Sequence, residues 1–286
     1  MTWAVRVPAS SANLGAGFDV FGMALTLHAE IGCGPGPTGA RPADEHHPAT
    51  VAFRRLGGEG PVWERSRIPM ARGLGYSGAV RVGGALAALA QRDGAEQLDD
   101  AARQEAFEVA AALEGHADNA AASLRGGIVA AAGTDVAQLP MVLDPAIVVW
   151  IPGETTTSTD QSRHALPDLV PRADAVFNLA RVAMFVAACA TGDIARLRTA
   201  TEDRLHQEPR LARVPASAQA IRTALGAGAW AAWLSGSGPT VATMCDVDVV
   251  ADLVAALSPD GHTKVLRIDH DGAAIVSVEP AADEAR

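Results

Sequence analysis

A chain of 286 residues with 49% apolar residues can bury one large core or two modest ones, which excludes a disordered chain. A net charge of −10 at neutral pH argues against a broad nucleic-acid surface and leaves room only for a local basic pocket. Lys264 is the sole lysine, so neither the Gly-Lys-[Ser/Thr] ending of a Walker loop nor the strand lysine of a protein kinase is available.

In chain order, residues 3–8 alternate as a short strand, 9–19 read as a loop of small polar residues, and 20–31 fit one or two strands. Residues 32–48, dense in glycine, proline and histidine, are predicted to be irregular. A short helix over 49–57 is stopped by Gly57 and Gly58, and 61–68 fit a strand. Helices are predicted over 80–90 and 98–114, the second carrying Ala102, Ala106, Val109, Ala110 and Leu113 at helical spacing and ending at Gly115. Residues 116–119 open another short helix, closed by Gly126 and Gly127, and strands follow over 128–132 and 146–151. Three helices (173–190, 193–206, 216–226), a buried strand (230–234), a further strand, a helix (247–257) and a strand pair (263–278) complete the reading. Strands and helices mix without βαβ alternation, which favours an α+β class. The domain boundary is expected between 134 and 153, giving domains 1–145 and 146–280 and a frayed tail over 281–286.

Cys33, Cys189 and Cys245 are widely spaced and odd in number, and support neither a disulfide frame nor a zinc site. The N-terminus lacks the apolar core of a signal peptide, and the apolar helical stretch around 182–190 reads as too short for a bilayer. The expectation is a soluble cytoplasmic protein.

Residues 68–79, Ile-Pro-Met-Ala-Arg-Gly-Leu-Gly-Tyr-Ser-Gly-Ala, carry three glycines and a hydroxyl just ahead of a predicted helix. Glycine lets the backbone reach φ > 0 and lets a ligand approach main-chain N–H groups, and a helix start adds unpaired N–H groups and a positive dipole end. Such a junction suits an anion, phosphate above all, although a plain glycine turn before a core helix would look the same.

Four ordered stretches carry a resemblance. Residues 7–22 (Val-Pro-Ala-Ser-Ser-Ala-Asn-Leu-Gly-Ala-Gly-Phe-Asp-Val-Phe-Gly) resemble the first signature of homoserine kinases. Residues 69–79 resemble the P-x-x-x-G-L-G-S-S-A-A loop of the wider GHMP small-molecule kinases, and 234–240 (Leu-Ser-Gly-Ser-Gly-Pro-Thr) their third motif. Residues 114–119 (Glu-Gly-His-Ala-Asp-Asn) with Gly126 and Gly127 match the E-G-H-P-D-N…G-G stretch typical of homoserine kinases, Ala117 standing for proline. The resemblance implies a two-domain α+β fold, with an N-terminal domain like the second domain of ribosomal protein S5, a ferredoxin-like C-terminal domain and a ligand cleft between them. It also implies ATP, Mg²⁺ and transfer of the γ-phosphate to the hydroxyl of L-homoserine.

The same resemblance places Pro69, Arg72, Gly73, Leu74, Gly75, Tyr76, Ser77, Gly78 and Ala79 at the nucleotide and Asn119 among the catalytic groups. It places Ser77 and Glu108 on Mg²⁺, where one or two carboxylates suffice beside phosphate oxygens. Spacing alone would leave Glu108, like Glu105 and Glu114, a solvated helix glutamate, and Ser77 a helix cap. Asn13, Asp19, His116, Asp118, Arg163, Arg210 and Gly236 fall at the amino-acid end, where a zwitterion needs a carboxylate and a guanidinium. Asn13 and Asp19 are equally read as turn residues, and either arginine as a surface charge. No residue stands out as an obligatory base.

Two departures bear on activity. Tyr76 and Gly78 replace a serine and an alanine of the family loop, and the 30–65 segment, which includes His46 and His47, is some tens of residues shorter than the family usually has. The readings carried forward are a homoserine kinase, a kinase of another small alcohol such as threonine, and a catalytically silent ligand-binding homologue. Membrane and nucleic-acid partners are not expected; a homodimer is.

Overall fold

In a computed structural model of the chain the described residues are 2–94, 98–153, 162, 164 and 166–279. Arg163 and the 281–286 tail lie outside them.

Two long antiparallel strands, β1 (Thr2–Ala12) and β2 (Phe21–Cys33), form the spine of the first lobe, with Val5 facing Ile31 and Ala12 facing Gly22. The predicted loop at 9–19 is therefore half strand: the chain turns only over 13–20, after a register shift between Pro8 and Ala9. β4 (Val62–Ser66) pairs with the outer end of β2 and carries the edge strand β3 (Arg41–Ala43), which interrupts the segment expected to be irregular. β5 (Ile128–Ala132) pairs with the start of β2 and with β6 (Asp135–Gln138), a short strand that periodicity does not reveal.

Four helices cover this sheet: α1 (Pro48–Arg55), α2 (Tyr76–Asp93), α3 (Asp100–Glu114) and α4 (Asp118–Arg125). α2 packs on β1 and β2 beside α4, is covered by α1 and α3, and buries a run from Gly78 to Ala90 broken only at Arg81. A helix enclosed on nearly every side needs small residues to let its neighbours approach, which explains its alanines and glycines. At Gly84 a Cβ would stand 2.0 Å from the backbone oxygen of Ala49 in α1.

The second lobe starts with β7 (Ala146–Pro152) and continues through α5 (Arg172–Thr191), α6 (Ile194–Ala200), α7 (Gln207–Leu211) and α8 (Pro215–Gly226). β8 (Ala231–Leu234), β9 (Val241–Cys245), α9 (Val250–Ala256) and β10 (Gly261–Leu266) complete it. The sheet order is β10-β7-β9-β8, antiparallel throughout, so strands and helices follow the split β-α-β-β-α-β plan expected of a ferredoxin-like domain. β7 is buried on both faces: Ile147, Val149 and Ile151 enter the large core shared with the first lobe, while Ala146, Val148 and Trp150 enter a second core under α8 and α9.

Three expectations need correction. Residues 263–278 are not a strand pair: β10 stays in the second sheet, whereas β11 (Ala274–Val278) crosses back to pair with β1. The helix expected over 193–206 stops at Ala200, because the Asp203 carboxylate captures the backbone N–H groups of Leu205, His206 and Gln207 and starts α7. The helix expected over 173–190 is α5, and its 20 residues, unlike the 182–190 stretch taken alone, are long and apolar enough by length and composition to cross a membrane. One side of it packs inward through Phe185, Ala188 and Cys189, with the Phe185 ring 5.3 Å from that of Phe21.

Gly84→Ala should destabilise the fold by about 1–3 kcal/mol, because α1 must move off α2 to admit one methyl. Urea unfolding of the variant beside the parent measures it.

Candidate active site

The glycine loop and α2 form one wall of a cleft of about 290 Å³ between the lobes. α2 begins at Tyr76, four residues earlier than expected, with Gly75 at φ 66° as its N-cap. Tyr76, Ser77 and Gly78 thus form the helix's first turn, where N–H groups lack intrahelical partners, and Ala79 N–H makes the first helical bond, to the Gly75 carbonyl (2.9 Å). Gly75 admits no side chain: a Cβ there would stand 1.9 Å from the Ser10 hydroxyl. Gly73, at φ 75°, passes so close to the other lobe that a Cβ would meet the Ser235 carbonyl oxygen at 2.3 Å.

The loop is fastened to both lobes. Ser10 N–H donates to the Leu74 carbonyl (3.2 Å). Ser235 Oγ donates to the Gly73 carbonyl (2.6 Å), which can only accept. The Ser11 hydroxyl, 2.8 Å from Ser235 Oγ, must then supply its proton to Ser235 while accepting from Trp233 Nε1–H (3.0 Å). Arg72 reaches across the cleft to the carbonyls of Pro152 and Gly153. These bonds join the loop to the end of β7.

The magnesium expectation changes partner. Ser77 points at Glu114, not Glu108: its hydroxyl donates to Glu114 Oε1, and Arg81 holds Glu114 Oε2. Glu108 lies outside the cleft, bonded to Gln104 Nε2 on the exposed face of α3. The two glutamates are six residues apart, which turns them about 120° from each other around a helix. Glu114, the last residue of α3, is the one whose side chain is carried inward, to 8% exposure. Among the described residues no group of three His, Cys, Asp or Glu side chains forms a metal cluster. A single enclosed carboxylate beside a hydroxyl at a helix start suits Mg²⁺ only when phosphate oxygens complete the shell.

At the opposite end the turn after β1 presents Asn13 and Asp19, both at positive φ (71° and 58°). Asn13 Oδ1 accepts Asp19 N–H (3.1 Å) and Asn13 Nδ2 donates to the Gly236 carbonyl (3.0 Å), so this side chain braces the turn against the second lobe. Arg210 is buried, donates through Nη1 to the same carbonyl (3.3 Å), and lines the cleft with Asp19 and Gly236. His116 Nδ1 lies 2.9 Å from Asp118 Oδ1, and Asn119 closes the floor, its Oδ1 accepting from Ser10 Oγ (2.8 Å). The cleft therefore gathers Asn13, Asp19, Pro69, Arg72, Gly73, Leu74, Gly75, Tyr76, Ser77, His116, Asp118, Asn119, Arg210 and Gly236. Gly78 and Ala79 are buried behind it.

Tyr76 has partners no local pattern reveals. Ala49 N–H donates to His47 Nδ1 (3.2 Å), which leaves the ring proton on Nε2 and makes it a donor to the Tyr76 hydroxyl (2.9 Å). That hydroxyl donates in turn to Glu64 Oε2 (2.7 Å). His47, whose Nε2 also lies 3.5 Å from Glu64 Oε2, holds the Glu64 carboxyl below the usual carboxylate range, against its partial burial, and burial with the nearby carboxylate pushes the Tyr76 phenol up. The ring is thus pinned at the cleft wall by α1 and β4. His46 is exposed, near Glu45.

A glycine loop at a helix start, facing an ionic pocket across two lobes, is the arrangement of a small-molecule kinase of the GHMP type. The family description "GHMP kinases N terminal domain" matches residues 49–127, and "GHMP kinases C terminal" matches 185–260. A homoserine kinase of Thermus thermophilus is 40% identical, the match covering 92% of this chain and 94% of that protein. One of Streptomyces coelicolor is 37% identical over 98% and 96% of the two chains. The solved structure of a putative homoserine kinase from Listeria monocytogenes superimposes with a TM-score of 0.75 at 28% identity, covering 97% of this chain and 100% of that one. A mevalonate kinase shares the fold at TM-score 0.67 and 13% identity. The chain belongs to the homoserine kinase family of the GHMP kinases.

Tyr76→Phe keeps the ring and removes the hydroxyl that satisfies Glu64. A lost hydrogen bond to a partly buried carboxylate should lower stability by about 1–3 kcal/mol, read by denaturant unfolding.

Proposed function

We propose that the chain transfers the γ-phosphate of ATP to the side-chain hydroxyl of L-homoserine, forming O-phospho-L-homoserine, a step toward threonine. The observation that carries this reading is the meeting in one cleft of the glycine loop, the Ser77–Glu114 pair and the Asp19–Arg210 end. The homoserine kinase relatives named above support the choice of substrate.

The loop N–H groups and the start of α2 receive the triphosphate. Ser77 and Glu114 are the groups that would hold Mg²⁺, which would neutralise phosphate charge when bound. Asp19 takes the substrate ammonium and Arg210 its carboxylate, leaving the hydroxyl directed at the phosphates; Arg163 is kept as a second carboxylate contact on sequence grounds. The hydroxyl oxygen attacks the γ-phosphorus as the bond to the β–γ bridging oxygen breaks, ADP departs, and the hydroxyl proton is released. His116, Asp118 and Asn119 orient the acceptor, and positioning with charge neutralisation accounts for the rate, as is general for phosphoryl transfer. A cytoplasmic location and a homodimer belong to the same reading. For the dimer, the support is the exposed Val176 and Leu179 of α5.

Tyr76 supports a second reading, the silent homologue, because its pinned ring occupies the wall where the family loop carries a small serine.

ADP release from Mg-ATP over a panel of homoserine, threonine, serine and mevalonate separates these. Homoserine should give the highest kcat/KM, threonine dominance would move the chain to another alcohol, and no acceptor-dependent ADP would favour the silent homologue. In the active protein Glu114→Gln should lower kcat at least about a hundredfold and raise the Mg²⁺ requirement, while Glu108→Gln leaves both within about twofold. Equal effects of the two substitutions would reject the assignment to Glu114.

A further inference from the structure

Behind Arg210 stands a buried polar cluster that does not reach the cleft itself. His206, fully buried, stacks on Phe18 with ring centroids 5.0 Å apart. Its Nδ1 lies 3.1 Å from Arg210 Nη1, and its Nε2 lies 2.8 Å from the Gly15 carbonyl oxygen. A carbonyl only accepts and a guanidinium only donates. These two partners therefore fix one neutral tautomer, with the proton on Nε2 and the lone pair on Nδ1 aimed at Arg210. Burial drives the imidazole below its ordinary pKa, with Arg210 acting in the same direction and Asp203 and the Gly15 carbonyl opposing. Asp203, whose side chain is fully buried, is held by backbone N–H groups of 205–207 and by Asn178 Nδ2 (2.7 Å). Asn178 Nδ2 also reaches the Ala16 carbonyl (3.0 Å), so the cluster ties α5 and α7 to the same turn that presents Asn13 and Asp19.

We infer that His206 is a positioning residue for the acceptor's carboxylate: by accepting from Arg210 and donating to Gly15, it sets the guanidinium's direction relative to the Asp19 turn. Both charges that grip a zwitterionic amino acid are then referenced to one imidazole. The inference rests on the amino-acid-kinase reading and names a residue that never touches the ligand.

Two substitutions divide the ring's two bonds. The side-chain amide of asparagine overlays Nδ1 and can still accept from Arg210, whereas that of glutamine overlays Nε2 and can still donate to Gly15. His206→Gln should weaken homoserine binding about tenfold or more, measured by calorimetry in the presence of a non-hydrolysable ATP analogue, and raise the homoserine KM in parallel. The ATP KM should stay within about twofold of the parent. His206→Asn should retain homoserine affinity to within about threefold. Thermal melting of both variants separates these effects from loss of fold. Equal losses in the two folded variants, or ATP and homoserine constants rising together, would overturn the inference. A parent that binds homoserine without releasing ADP would remove the kinase reading and leave the role of His206 measurable by binding; a parent that binds no homoserine would remove both.

Discussion

The site depends on one line of hydrogen bonds crossing from lobe to lobe: Trp233 Nε1–H to Ser11 Oγ, Ser11 to Ser235, and Ser235 to the carbonyl of Gly73. Trp233, Ser11 and Ser235 are fully buried, so each group would lose water without gain if a partner were missing. The line runs from a strand of the second sheet, through β1 of the first, into the glycine loop. It fixes the loop before any ligand arrives, and it requires backbones so close that Gly73 and Gly75 cannot carry side chains. A phosphate cradle made of N–H groups is only as good as the positions of those groups, and preorganisation of this kind carries most of the electrostatic effect in phosphoryl transfer.

The two ends of the cleft are built by different means. The end proposed for the nucleotide relies on backbone and helix start, with Glu114 balanced by Arg81 behind Ser77. The end proposed for the acceptor relies on charged side chains backed by hydrogen bonds from Asn13, His206 and Asp203. Buried polar networks of this sort are stable only when every member is satisfied, and their breakage costs more than their formation contributes. That asymmetry makes the supporting residues, rather than the ligand contacts alone, sensitive points of the fold.

Much of this was legible in the sequence because the informative residues are local. Gly115 ends α3 and Gly126 ends α4 with left-handed or otherwise positive φ, as helix-stop reasoning expects. The α+β class and the two lobes follow from the same punctuation and from the four motifs. What failed was register and long-range pairing. Glu108 and Glu114 are both helical glutamates, and only the end of α3 against α2 decides which one turns inward. β11 returns to β1 across the whole chain, a pairing no local pattern encodes. Tyr76 reads as a departure from a motif, yet its partners Glu64 and His47 lie 12 and 29 residues away in chain order and meet it only through the fold.

The preorganised loop is tested most directly at Ser235. In Ser235→Ala the Gly73 carbonyl loses its donor while the core loses almost no volume. Calorimetric affinity for a non-hydrolysable ATP analogue should then fall about tenfold or more, with the circular dichroism spectrum unchanged. An affinity equal to that of the parent would show that the loop holds its shape without the line from Trp233, and would contradict the account.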